Sequence, residues 1–170
     1  MISDFSGDYA YLSNLYPCSV MYWGELYPSV ENAYYAAMTE DKKARVRFQK
    51  MISFEVAHHA ESIIVRDDWP GIKLRVMSEL VADKFIIHQR LCMQLILTRP
   101  EKLIYENRRG DTFWGTRNGI GENNLGKILM QCRSRLLAIR SNRELCGIQE
   151  VRGMTRRERR RKRSKELSPV

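Results

Sequence analysis

An acid, a tryptophan and a glycine- and asparagine-rich loop stand directly ahead of an amphipathic segment in Asp111–Met130, DTFWGTRNGIGENNLGKILM. Residue types in this order can build a ligand site. Asp111 precedes Trp114 by three residues, so a bent loop sets a carboxylate and an indole on the border of one pocket. Gly115, Gly119 and Gly121 permit close backbone approach and positive φ. Asn123 or Asn124 is placed to cap a helix that would bury Leu125, Ile128, Leu129, Cys132 and Leu136. On local chemistry alone, the same features also describe a turn and a helix cap without a ligand.

Other candidate groups lie far off in the chain. Glu31 falls in the first turn of a predicted helix, where the helix dipole favours an ionised carboxylate; a solvated structural glutamate fits that position equally. Trp69, in the loop DDWPG, offers a stacking surface or a hydrophobic anchor. Lys84 lies among Leu80, Val81 and Phe85, so its stem follows the core edge and its ammonium either reaches solvent or meets a phosphate.

The elements that must position these groups follow from periodicity and punctuation. Cys18–Trp23 alternates as a short strand, and Gly24-Glu25 turns it into Leu26-Tyr27 as a hairpin. Ser29 caps a helix from Val30 to about Thr39, with Val30, Ala33, Tyr34 and Ala37 on one face. Short helices are expected at residues 44–51 and 54–62. One long helix is expected over Ile72–Leu97, stopped by Thr98-Arg99-Pro100. Lys102–Glu106 reads as a strand before the glycine loop. The expected fold class is α+β, a predominantly helical single domain with a few short strands.

Composition narrows the function classes. The chain has 170 residues, 44% of them hydrophobic, and a formal charge of +9. That charge is unevenly spread: residues 152–170 hold nine Lys/Arg against Glu158 and Glu166, or +7, leaving +2 for residues 1–151. A folded domain over 1–151 and a basic, disordered tail over 152–170 are therefore expected. The tail suits contact with RNA or DNA phosphates, and equally a solvated terminus. The start lacks the pattern of a secretory signal and no run approaches a membrane span, so no membrane partner is expected. Four cysteines without a C-x-x-C pair read as thiols in a reducing compartment, hence a cytoplasmic location. His88 and Cys92 share an i, i+4 spacing, but no further ligand pair accompanies them. Neither a metal nor a cofactor is expected.

The pattern as a whole resembles the NADAR or YbiA-like family. It is carried by Phe5-Ser6-Gly7, Tyr11–Asn14, Gly24, Tyr27–Glu31, Trp69, Lys73, Met77, Lys84-Phe85, Leu95–Thr98, Asp111, Trp114-Gly115, Gly121, Asn123, Leu125-Gly126, Leu129-Met130 and Arg133, in collinear order over roughly residues 4–137. The resemblance implies a YbiA-like fold and an N-glycosidase. One implied substrate class is a ribosylaminopyrimidine phosphate of riboflavin synthesis; another is ADP-ribose, including ADP-ribosylated guanine or nucleic acid. A third implied reading is a catalytically silent nucleotide or ADP-ribose binding module. Under the enzyme readings, Glu31 stabilises a ribosyl cation or activates water and Asp111 is the second acid or positions the ribose, or the two roles are exchanged. Trp69 and Trp114 would flank the base beside Gly115. Asn14 and Asn123 would bind hydroxyls or base edges, and Lys84 and Arg133 would offset phosphate charge. The chain departs from the family at Asn32, Tyr35 and Met38, where many relatives carry His, Gln and Lys, and at Glu61-Ser62, where Gly-Arg is common. If the missing lysine binds phosphate in relatives, this chain has another substrate, another cation in its place, or no activity.

Overall fold

Two-residue turns, side-chain caps and apolar stripes set most of the framework. The computed structural model describes residues 1–107 and 109–153, without the side chains of 53, 54 and 142–153. Strands β1 (Val20–Tyr22) and β2 (Glu25–Tyr27) pair antiparallel, Val20 opposite Tyr27, across the Trp23-Gly24 turn. Both turn residues have positive φ, +50° and +80°, as a two-residue hairpin of this hand requires. The turn is thus one residue earlier than Gly24-Glu25.

Helix α1 (Val30–Ala37) begins as expected, the Ser29 hydroxyl accepting the Asn32 amide. Its next-door helix α2 (Lys42–Lys50) is capped by Asp41, which accepts the Lys43 amide at 2.8 Å, and buries Ala44 and Phe48. Asn32 fastens the two together: its side-chain amide donates to the Phe48 carbonyl at 2.7 Å and to that of Met51 at 3.0 Å. Helix α3 (Ser53–Ala60) follows and packs on α1.

The single helix expected over Ile72–Leu97 is two helices, α4 (Trp69–Ile87) and α5 (Gln89–Leu97). The break falls at His88, which leaves helical geometry (φ −96°, ψ 91°) and whose ring Nε2 lies 2.7 Å from the Ser19 carbonyl. That cross-link to the start of the hairpin, after the β-branched pair Ile86-Ile87, replaces the helical continuation. Trp69 opens α4 instead of lying in a loop, with Pro70 in the first turn where its missing N–H costs nothing.

Lys102–Glu106 forms no continuous strand. It makes isolated parallel bridges, Leu103 to Ile2 and Glu106 to Thr116, which bind it to the amino terminus on one side and to the glycine loop on the other. Asn123 directly precedes α6 (Asn124–Gly153) at φ +53°, and its carbonyl accepts the Lys127 amide. Its side chain does not cap the helix. It accepts the Tyr105 amide at 2.9 Å and donates to the Leu103 carbonyl at 3.0 Å, satisfying backbone that a strand partner would otherwise pair. The architecture is α+β and mostly helical, with its core built from α1, α4, the hairpin and the first turns of α6. Residues Met1–Ser134 form one compact unit and a second begins at Arg135. From residue 154 on, the basic tail lies outside the described residues. Among the described residues no helix is long and apolar enough to cross a membrane.

Candidate active site

A cavity of about 650 Å³ opens where the 3₁₀ turn and loop of residues 4–15, α1, α4 and the segment 105–114 meet. This is the size range of a nucleotide-scale ligand. Its walls hold Glu31 and Asp111 together with Asn14 and Trp114. Four residues from three separate parts of the sequence thus share one space.

Glu31 stands in the first turn of α1, and its amide donates to the Asn14 carbonyl at 3.0 Å. Burial raises its carboxyl from 4.5 to about 7; a hydrogen bond from Tyr35 and the nearby Arg109 charge oppose that rise, and Asp111 adds to it. A carboxyl so poised exchanges a proton near neutrality. Tyr35, one helical turn on, remains a protonated donor because burial and the Glu31 charge push its phenol up. Asp111 is held differently: its Oδ1 accepts the amides of Phe113 at 2.9 Å and Trp114 at 3.0 Å, so the carboxylate and the indole are locked in one turn. Trp114 meets the Tyr34 ring edge-on at 5.5 Å and hydrogen-bonds its hydroxyl.

Gly115 earns its position by close approach, not by an unusual φ. A β-carbon there would collide with the Tyr105 carbonyl and come within 3.0 Å of Asn107 Cβ. Asn14 contributes twice, lining the cavity and directing its side-chain amide at Met77 Sδ, 3.3 Å away.

The other expected ligand groups are elsewhere. Trp69 is not a cavity wall; it packs behind Tyr34 at 4.9 Å and anchors the ring that does line it. Lys84 is fully buried, and its Nζ donates to the Ser13 carbonyl at 2.8 Å, pinning the turn that carries Asn14. Burial lowers its pKa to about 8. Arg133 is also spent on structure, donating to Thr98 Oγ1 at 2.7 Å and to the Glu101 carbonyl at 2.9 Å. Asn123 braces the segment behind the wall, as described above. These four side chains support the site without lining it.

Lining residues such as Tyr105 and Arg109 have no signal in the sequence. Phe5, part of the family pattern, stacks on Tyr105 at 5.5 Å, and these two with Tyr34, Tyr35 and Trp114 give the cavity five aromatic side chains. Arg109 is the one basic side chain among the described lining residues, which also include Asp4 and Glu106. Glu106 is engaged with Thr116 Oγ1 and the Asn118 amide, both at 2.7 Å.

The NADAR domain model matches residues 3–137, a span that includes every one of these lining residues. The chain is similar to the N-glycosidase YbiA of Shigella sonnei, 33% identical over 135 residues, or 77% of this chain and 84% of that protein. It is also similar to the riboflavin biosynthesis protein VVA0006 of Vibrio vulnificus, 34% identical over 136 residues, where 76% of this chain matches only 36% of the longer relative. Among solved structures, the NMR structure of E. coli YbiA superposes with a TM-score of 0.72 at 29% identity, covering 82% of this chain and 84% of the other. With the family match running through most of the chain and the fold shared, this chain belongs to the NADAR domain family.

Proposed function

We propose that the protein is an N-glycosidase, a hydrolase that breaks the bond between a ribosyl C1 and a base nitrogen. The observation that carries this reading is the placement of Glu31, its carboxyl pKa raised by burial to about 7, in one cavity with Asp111 and five aromatic side chains. Relatives named N-glycosidases support the same class.

The reaction asks little covalent work of the protein. The C1–N bond breaks and its electron pair leaves with the base; a water oxygen bonds to C1, and one water proton must be accepted while the base gains one. Ionised Glu31 faces the cationic ribosyl centre and takes the proton from water, with Tyr35 holding the carboxylate. Asp111 orients the ribose hydroxyls, or takes over the acid–base step. Trp114 and the tyrosines hold the planar base.

The substrate class we favour is a ribosylaminopyrimidine phosphate, in line with a relative named for riboflavin biosynthesis. Its phosphate would meet Arg109, the cation that stands in the cavity where Lys84 and Arg133 do not. An ADP-ribosyl substrate would use the same cation.

Two outcomes are expected. Since the working form of Glu31 is the carboxylate, kcat/KM should rise with pH through a midpoint near 7; a profile flat between pH 5 and 8 would remove Glu31 from that role. Arg109→Gln should raise KM for a phosphorylated substrate by about tenfold with kcat little changed, as expected for lost uniform binding. Steady-state kinetics on phosphorylated and dephosphorylated ribosyl substrates checks this, the second being unaffected.

A further inference from the structure

The body of the chain carries a charge of only +2, yet the structure concentrates cations on one helix. Helix α2 reads KKARVRFQK: five basic residues and no acid in nine. Lys42, Lys43, Arg47 and Lys50 are exposed. None of the ion pairs among the described residues involves an α2 side chain. Lys43 and Arg47 repel at i, i+4, and Lys42 with Arg45 and Arg47 with Lys50 repel at i, i+3. The helix persists because Ala44 and Phe48 are buried, Asp41 caps its start and Asn32 holds its end. Its outward face therefore opposes folding and has no ion-pair partner among the described residues.

Beside it stands an aromatic group that the backbone also disfavours. Trp23 occupies the first turn position of the hairpin at φ +50°, a conformation suited to Asn or Gly and strained for a bulky side chain. It is 62% exposed. The Arg45 guanidinium lies 4.6 Å from its ring centroid, Arg66 lies 5.7 Å away, and Tyr22 stacks on it at 5.0 Å.

We propose that α2 and the Trp23 turn form a docking face for single-stranded nucleic acid. Clustered cations, outside any ion pair among the described residues, supply phosphate contacts, and an exposed Trp–Arg stack supplies a platform for an unpaired base. An acidic lipid surface would use the cations but has no need of the stack. The face is tied to the catalytic helix, since Asn32, the residue after Glu31, bonds both Phe48 and Met51. A bound strand would thus sit on an element rigidly joined to α1. The proposal does not depend on the N-glycosidase reading.

The test is fluorescence anisotropy of the full-length chain with labelled single strands of about 20 nucleotides, at several salt concentrations. A Lys43→Glu/Arg47→Glu variant should bind at least about tenfold more weakly near 0.1 M salt and with a shallower salt slope. Trp23→Asn, which suits the turn better, should weaken binding several-fold while thermal stability holds or rises. Hydrolysis of small ribosyl substrates should be unchanged in both, which separates this face from the cavity. Binding by both variants as tight as wild type would assign the contact to residues 152–170 and overturn the proposal. So would absence of binding by the wild type, equal affinity for duplex of the same length, or stronger binding to phosphatidylserine vesicles than to the strand.

Discussion

Glu31→Gln is expected to lower turnover by about a thousandfold and, above pH 7, to make the protein more stable than wild type. Both effects come from one cause. The carboxyl is held in a cavity that burial makes hostile to charge, so its folded pKa of about 7 lies above the ordinary 4.5. Between those values the native state binds more protons than the unfolded chain, so stability falls as pH rises from about 4.5 to 7, and the penalty is fully present above 7. Glutamine keeps the shape and an acceptor for Tyr35 but carries no charge to desolvate. At pH 8 the gain should be about 1 to 3 kcal/mol, the lower part allowing for the opening of the cavity to solvent. At pH 4 the two proteins should unfold alike. Thermal or urea unfolding at both pH values checks this, and a Gln variant less stable than wild type at pH 8 would show that the carboxylate is held by favourable contacts instead.

The second large effect is expected at Gly115. Ala there directs a methyl group at the Tyr105 carbonyl, with Asn107 Cβ and Tyr105 Cδ1 each only 3.0 Å from it. All three obstacles belong to the segment that accepts and donates bonds across the loop: the Thr116 amide donates to the Tyr105 carbonyl at 2.8 Å, and the Asn107 amide to the Thr116 carbonyl at 2.7 Å. Neither strand of this contact can withdraw without breaking the other's bonds. A loss of about 2 to 4 kcal/mol is expected, together with loss of activity, because Trp114 and Asp111 ride on the same turn. Urea unfolding decides the matter; a change below about 1 kcal/mol would mean that the loop yields freely.

What the sequence revealed about the site was local. Asp111 and Trp114 are three residues apart in a glycine loop, and Glu31 sits behind an evident Ser29 cap, so each was visible from its neighbours. That these groups meet Asn14 in one cavity depends on tertiary packing, and periodicity carries no record of it. Tyr105 and Arg109 were illegible for that reason, each an ordinary residue until the 105–114 segment folds against α1, and Tyr35 stood out only as a departure from the family pattern. Lys84 and Arg133 were misplaced by the same gap. A basic side chain near a site looks like a phosphate ligand, but both point into backbone carbonyls that would otherwise be buried without donors. The helix break at His88 has no mark in the apolar spacing, which continues through it; the non-helical backbone of His88 and its ring's contact with Ser19 are tertiary features. Net charge misled in the opposite direction, since a near-neutral body conceals the cations of α2.

The most direct test of N-glycosidase activity is hydrolysis in ¹⁸O-labelled water, followed by mass spectrometry of both products, with ribosylaminopyrimidine phosphates and ADP-ribosyl compounds offered to wild type and Glu31→Gln. Free base without label and a sugar carrying one ¹⁸O at C1 are expected from wild type and not from the variant. An unlabelled sugar, or equal product from both proteins, would contradict this expectation, as would no product from any substrate by a folded wild-type protein that binds them.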